Sequence, residues 1–264
     1  MPHLHFVMDA YGTVEEHANN LMAVNELLNA VAHELGLHPV MPPFLVPYYY
    51  CNDAEDGGIS AFLICEGGHI TVHTFPYRSC YFVDVLSDEF YSVDKAEAIF
   101  KEKLHADNTI IRMIDRRTIY DATEERIEAG KDFGPHYMIE VRDVDMTMEW
   151  IYRFLDHIAE KINMLAITRP YVITDKKNDP NFISGLLVVA QSHIAVHYDL
   201  RERKAMIDIF SCEFIEDAQI RELLDDSFKG NWQCKLFSRG SKHSDRYLRK
   251  TNRVAISRAW SGNI

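Results

Sequence analysis

One stretch of this chain occurs twice: GGHITVHTFPYRSCYFVDVLSDEF from Gly67 to Phe90, and QSHIAVHYDLRERKAMIDIFSCEF from Gln191 to Phe214. A fixed offset of 124 residues superposes His69 on His193, His73 on His197, Asp84 on Asp208, Ser87 on Ser211, Glu89 on Glu213 and Phe90 on Phe214. A repeat of this size constrains the fold strongly, because each half must build the same unit and bury the same apolar face. The copies differ at two positions that matter for chemistry. Ser192 and Cys212 of the second stand where the first has Gly68 and Asp88.

Residue patterning predicts the unit. HFVMDAY at His5 to Tyr11 mixes β-branched and aromatic residues as a strand does. Thr13 and Glu16 have capping-box spacing, and Leu21, Val24, Leu28, Val31 and Leu35 recur with helical period before Gly36. The Pro- and Tyr-rich segment 38–50 reads as a loop. Three strands follow at 59–65, 68–75 and 80–86, then a helix at 92–104 and a strand at 109–114. The charged segment 115–134 reads as a linker. The order then restarts with a strand at 136–141, a helix at 145–165, strands at 183–190, 193–198 and 205–210, a helix at 217–228 and a strand at 232–237.

Each half is therefore strand, helix, three antiparallel strands, helix, strand, which sets the division at 1–124 and 125–264. Helices cover one face of such a sheet and leave the other apolar face to be buried. Stacking the two sheets face to face gives an α+β fold, a four-layer α/β/β/α sandwich with antiparallel sheets and pseudo-twofold symmetry. Joining the sheets edge to edge is the alternative.

Among 264 residues, 47% are apolar and 26% charged, the balance of a globular chain with a sizeable core. No apolar run approaches the roughly 18 residues of a membrane span, and MPHLHFVMDAYG lacks the pattern of a signal peptide; a cytoplasmic location is expected. Five cysteines without a CxxC pair argue against a disulfide framework and a zinc knuckle. A net charge of −12 disfavours nucleic acid and suits small cationic ligands. Against that balance, seven Lys/Arg residues face one Asp between Arg239 and Arg258; this run reads as a solvated tail or strand rim.

His69 and His73, like His193 and His197, have HxxxH spacing. On a strand, residues i and i+4 share a face about 13 Å apart, so one strand cannot chelate a metal with both, and no metal site is expected. Ser192 and His197 are an odd number apart, so their side chains point to opposite faces of a regular strand. Across a twofold axis, however, His73 of the first copy could approach Ser192 of the second.

The second copy resembles the pyruvoyl-dependent S-adenosylmethionine (AdoMet) decarboxylases. The resemblance rests on Ser192 followed by His193, His197 five residues after the Ser, Cys212 ending a V/I-D-x-x-[ST]-C run twenty residues after it, and Ser184 eight before it. It covers the whole chain as two fused copies of the short prokaryotic form. It implies that the proenzyme cleaves its own backbone before Ser192 by an N-to-O acyl shift, that Ser192 becomes a pyruvoyl cofactor, and that this group forms a Schiff base with a substrate amine and serves as electron sink. In the prokaryotic dimer the pyruvoyl group and cysteine come from one subunit, the processing serine and histidine from the other. Carried over, one composite site holds Ser192 and Cys212 with Ser60 and His73. The reciprocal site, with Gly68 and Asp88 facing Ser184 and His197, lacks a nucleophile.

Departures bear on the substrate, a small molecule. Gln191 replaces the family's Glu before the cleaved serine, and Glu213 the Gly after the cysteine. Tyr77 stands where the family has a ribose-binding Glu, and Arg201 is its second-copy equivalent. Glu140 and Glu213 are the candidate replacements for that carboxylate. Tyr137 and the run Tyr48, Tyr49 and Tyr50 are candidates to stack adenine. The expectation is AdoMet or a basic amino acid such as arginine or ornithine, with polyamine metabolism as the setting, decarboxylated by a monomer or homodimer. The alternative is an uncleaved, non-catalytic homologue that binds a small molecule.

Overall fold

A computed structural model describes residues 3–241 except 122, 177, 179 and 191. The basic run beyond residue 241 and Gln191 therefore lie outside the described residues. Twelve strands and five helices are assigned among the rest. The first sheet contains β1 (Leu4–Tyr11), β2 (Phe44–Tyr48), β3 (Gly58–Cys65), β4 (Gly68–Phe75), β5 (Cys80–Ser87) and β6 (Asn108–Asp115). The second contains β7 (Gly134–Val141), β8 (Tyr171–Thr174), β9 (Phe182–Val189), β10 (Ser192–Asp199), β11 (Lys204–Phe210) and β12 (Trp232–Arg239). Their orders, β2-β3-β4-β5-β1-β6 and β8-β9-β10-β11-β7-β12, are the same path repeated, and every pairing is antiparallel.

Each sheet thus has six strands where patterning alone yields five. The extra edge strand β2 lies inside the segment read as a loop, because Pro47 is tolerated at an edge. Its counterpart β8 is equally silent in the patterning. Helices α1 (Glu15–Ala18), α2 (Leu21–Leu35) and α3 (Val93–Leu104) belong to the first half, α4 (Met148–Lys161) and α5 (Asp217–Phe228) to the second. The start of α2 is capped by Asn20, whose side chain accepts from Ala23 N at 3.1 Å, and not by Thr13. The Thr13 hydroxyl instead donates to Leu104 O at 2.5 Å. None of the helices is long and apolar enough to cross a membrane.

Alternation along the strands decides what lies between the layers. Phe6, Met8 and Ala10 of β1 pack with Leu27, Leu28 and Val31 of α2. Ile194 and Val196 of β10 pack with Leu155 and Ile158 of α4. The opposite faces meet each other: His69 and His73 of β4 hydrogen-bond His197 and His193 of β10. The sheets are therefore stacked face to face with helices outside, and the edge-to-edge alternative is set aside.

That middle layer is unusually polar. Arg116, Arg239, Asp84, Asp208, His5, His69, His73, His136, His193 and His197 are all buried there. Two corrections follow. Arg116, in the segment read as a linker, turns into the core through a 3₁₀ turn and bonds Asp208 at 2.6 Å. Arg239, the first residue of the basic run, is fully buried against Asp84 and Asp9. Charges buried this deeply persist only when paired and hydrogen-bonded.

Candidate active site

Ser192 opens β10 and is fully buried. Its Cα partner on β9 is Val189, which packs on the helix side, so the Ser192 side chain starts on that side and not toward the histidines. Its Oγ accepts a 2.8 Å hydrogen bond from Cys212 N. Cys212 lies just beyond β11, and its thiol donates to Ala190 O at 3.3 Å. The two residues that distinguish the second copy are thus joined directly, twenty positions apart.

Cys212 belongs to an apolar cluster with Phe75, Cys80 and Phe82 of the first sheet, Phe133, and Phe210 of the second. It also lines a cavity of about 530 Å³. One wall comes from the first half, Tyr48 and residues 50–53 with Asp56; the other from 162–165, Ala190 and 211–216. Both halves build this cavity. Arg78 fixes its first-half wall through Asp53 and Asp56, each at 2.5 Å, and through Glu55 at 3.0 Å. Asp53, Asp56, Glu213 and Glu216 line it, and among the described residues no lysine, arginine or histidine does.

Ser60 and His73 sit opposite one another on β3 and β4. Ser60 Oγ is 2.9 Å from His73 Nδ1, and His73 Nε2 is 2.9 Å from Nδ1 of His193, the residue after Ser192. The other half repeats this: Ser184 Oγ is 2.8 Å from His197 Nδ1, and His197 Nε2 is 2.7 Å from His69 Nδ1. His197 is therefore engaged away from Ser192. Burial drives these imidazoles neutral, with His69 brought down to about 4 and His73 to about 3.

The equivalent place in the first copy cannot hold a serine. A Cβ on Gly68 would lie 1.9 Å from Leu86 O, so any side chain there displaces backbone. Asp88, in the Cys212 position, is pushed up to about 6 by burial and then by Glu89.

Three sequence candidates lie elsewhere. Tyr77 is half exposed on the β4–β5 turn and does not line the cavity. Tyr137 faces the helix side and its hydroxyl donates to Ile215 O at 3.3 Å, behind the cavity wall. Glu140 is buried at the far end of β7, paired with Arg142 at 2.5 Å and Lys204 at 3.8 Å. It lies six positions along β7 from Gly134, which packs against the Ser211 and Cys212 backbone, roughly 20 Å along a strand. Conversely, Glu216, Cys51 and the 162–165 wall carry no motif that flags them. Neither HxxxH pair forms a metal group among the described residues. The buried trio His5, His136 and Asp208 does bring ligand atoms within 4.8 Å of one another, but the Arg116 guanidinium already bonds His5 and Asp208 there.

The sequence model of the family described as S-adenosylmethionine decarboxylase matches residues 4–117 and again 135–240. The S-adenosylmethionine decarboxylase proenzyme 2 of Bacillus anthracis is 25% identical over 88 residues, 33% of this chain and 72% of that protein. The S-adenosylmethionine decarboxylase proenzyme of Pseudomonas aeruginosa (strain LESB58) is 29% identical over 106 residues, 38% of this chain and 64% of that protein, so less than two thirds of its length is spanned. The crystal structure of the adenosylmethionine decarboxylase from Aquifex aeolicus VF5 aligns with a TM-score of 0.38 and 19% identity, over 48% of this chain and 97% of that one. With matched segments in both of its sheets, the chain belongs to the S-adenosylmethionine decarboxylase family.

Proposed function

We propose that this protein is a self-processing, pyruvoyl-dependent decarboxylase of AdoMet or a basic amino acid, with a single active centre assembled from two units, 1–124 and 125–264. The observation that carries this reading is the bond from Cys212 N to Ser192 Oγ at 2.8 Å beside the cavity. That bond orients the hydroxyl oxygen in a site where both halves contribute walls. In processing, Oγ takes the acyl group of residue 191 from its own nitrogen. The family resemblance gives the proton transfer of this shift to Ser60 and His73, a hydrogen-bonded pair in the layer between the sheets, so the Ser192 hydroxyl has to turn from its helix-side start toward that layer during processing.

The donor set suits the group that would result. A pyruvoyl group supplies an electron-withdrawing carbonyl that takes up the electron pair when carbon dioxide leaves. Around it, the residues bind and protonate. The Cys212 thiol, held on the cavity wall by Ala190 O, donates a proton to the substrate carbon. Carboxylates of Glu213 and Glu216 attract the cationic part of the substrate. Phe75, Phe82 and Phe133 exclude water from one side, with Phe133 ring centroids 4.4 Å from Phe75 and 4.5 Å from Phe82.

Intact mass and a denaturing gel test the reading. Cleavage between Gln191 and Ser192 yields fragments of 191 and 73 residues. A chain that stays whole after prolonged incubation overturns it in favour of a non-catalytic homologue.

A further inference from the structure

Two hydrogen-bonded chains cross between the sheets, related by the same offset as the repeats. One runs Ser60, His73, His193 and the other Ser184, His197, His69. All six residues are buried. In both, the terminal histidine leaves Nε2 buried without a hydrogen-bond partner. The chains differ in what adjoins that histidine. His193 follows Ser192 in β10, whereas His69 follows Gly68 in β4.

We propose that His193 is a positioning residue for processing at Ser192: its Nδ1–H donates to His73 Nε2, which fixes His73 with its own hydrogen on Nδ1, donated to Ser60 Oγ. The proposal rests on the reading of Ser192 as the processed serine. The direction follows from counting hydrogens. Burial pulls His193 well below its ordinary value, and the neighbouring His73 pulls it further; His73 is likewise neutral. Each neutral ring has one N–H and one acceptor nitrogen. If His73 donated through Nε2, His193 would accept at Nδ1 and carry its hydrogen on the partnerless Nε2. A buried N–H without an acceptor is rarer than an unused lone pair. The opposite direction leaves only a lone pair bare. Ser60 then accepts from His73, so the hydroxyl hydrogen of Ser60 is not spent on the His73 ring.

Two measurements test this. In ¹⁵N-histidine-labelled Ser192→Ala protein, which cannot process whatever the wiring, the His73 ring is expected to be protonated at Nδ1, with its signals assigned by their loss in His73→Gln. Protonation at Nε2 overturns the proposal. Processing rate is the second readout. His193→Leu is expected to slow cleavage about tenfold or more, since a proton-transfer group loses its orientation. His193→Asn, whose amide can still donate to His73, retains most of the rate. His69→Leu removes the same volume at the symmetry-related position and cleaves like the unsubstituted chain, provided all variants melt cooperatively. Equal slowing by both leucine variants, or no recovery with asparagine, reduces His193 to a packing residue. Should the unsubstituted chain not cleave, the functional reading falls, while the tautomer still decides whether His193 orients His73.

Discussion

Arg239 Nη1 lies 2.9 Å from Asp84 Oδ1, with neither side chain reaching solvent. The pair joins the end of β12 in one sheet to β5 in the other, and Arg116 with Asp208 forms its counterpart at 2.6 Å. Burial alone would raise the Asp84 carboxyl, yet Arg239 and then His136 hold it well below the usual carboxylate range. The guanidinium also stands 4.7 Å over the Phe210 ring. These contacts pin the two halves together in the layer that positions the candidate site.

Replacing Arg239 therefore strands two buried carboxylates, Asp84 and Asp9. Arg239→Met is expected to destabilise the fold by about 3–5 kcal/mol, the usual cost of removing one partner from a buried pair. Urea denaturation checks this. A loss below about 1 kcal/mol would mean that the carboxylates find other partners or take up protons.

Acid should loosen the sandwich before its carboxylates titrate. His69 and His3 are lowered to about 4 and His73 to about 3, burial being the first cause in each. Between an unfolded value near 6.5 and these folded values, the unfolded chain binds protons that the folded chain does not. Stability thus stands in full above about pH 6.5 and declines as pH falls toward 4, by roughly 1.4 kcal/mol per pH unit for each such histidine. The depressed carboxyls of Asp84 and Asp208 continue the loss below about pH 4. Melting temperatures across pH 4–7.5 would show this; a flat profile above pH 5 contradicts it.

His73→Ala is expected to slow self-cleavage by about 10²- to 10⁴-fold, while His197→Ala processes nearly normally, because His197 is bonded to Ser184 and His69. Cys212→Ala keeps cleavage but lowers turnover. Gel quantification over time separates them. The reverse outcome for the two histidines would place the centre within one repeat.

Substrate choice follows from the cavity's charge. Glu213 and Glu216 have no ion-pair partner among the described residues, unlike Asp53 and Asp56, which Arg78 engages. Cleaved protein is expected to release carbon dioxide from arginine or ornithine at least as well as from AdoMet, with Glu213→Gln raising KM for the amino acid. Clear preference for AdoMet would assign Glu213 to the ribose hydroxyls.

Several features are legible in the chain itself. Strand alternation and the 124-residue offset depend only on local order, so every strand but the edges β2 and β8, and the stacking of the sheets, could be anticipated; Ser60 with His73 and Ser184 with His197 come together in the sequence only through the family resemblance. Parity alone tells that Ser192 and His197 diverge. Tertiary structure decided the rest, because the partners lie far apart in sequence. Arg239 reads as part of a solvated basic run, and only Asp84, 155 residues away, makes it a core residue. Arg116 reads as linker for the same reason. Tyr77 aligns with a ligand position, but its turn faces solvent, while Glu216 reaches the cavity from a segment with no motif. Local periodicity reports which face a side chain takes; what waits on that face is set by how the two sheets meet.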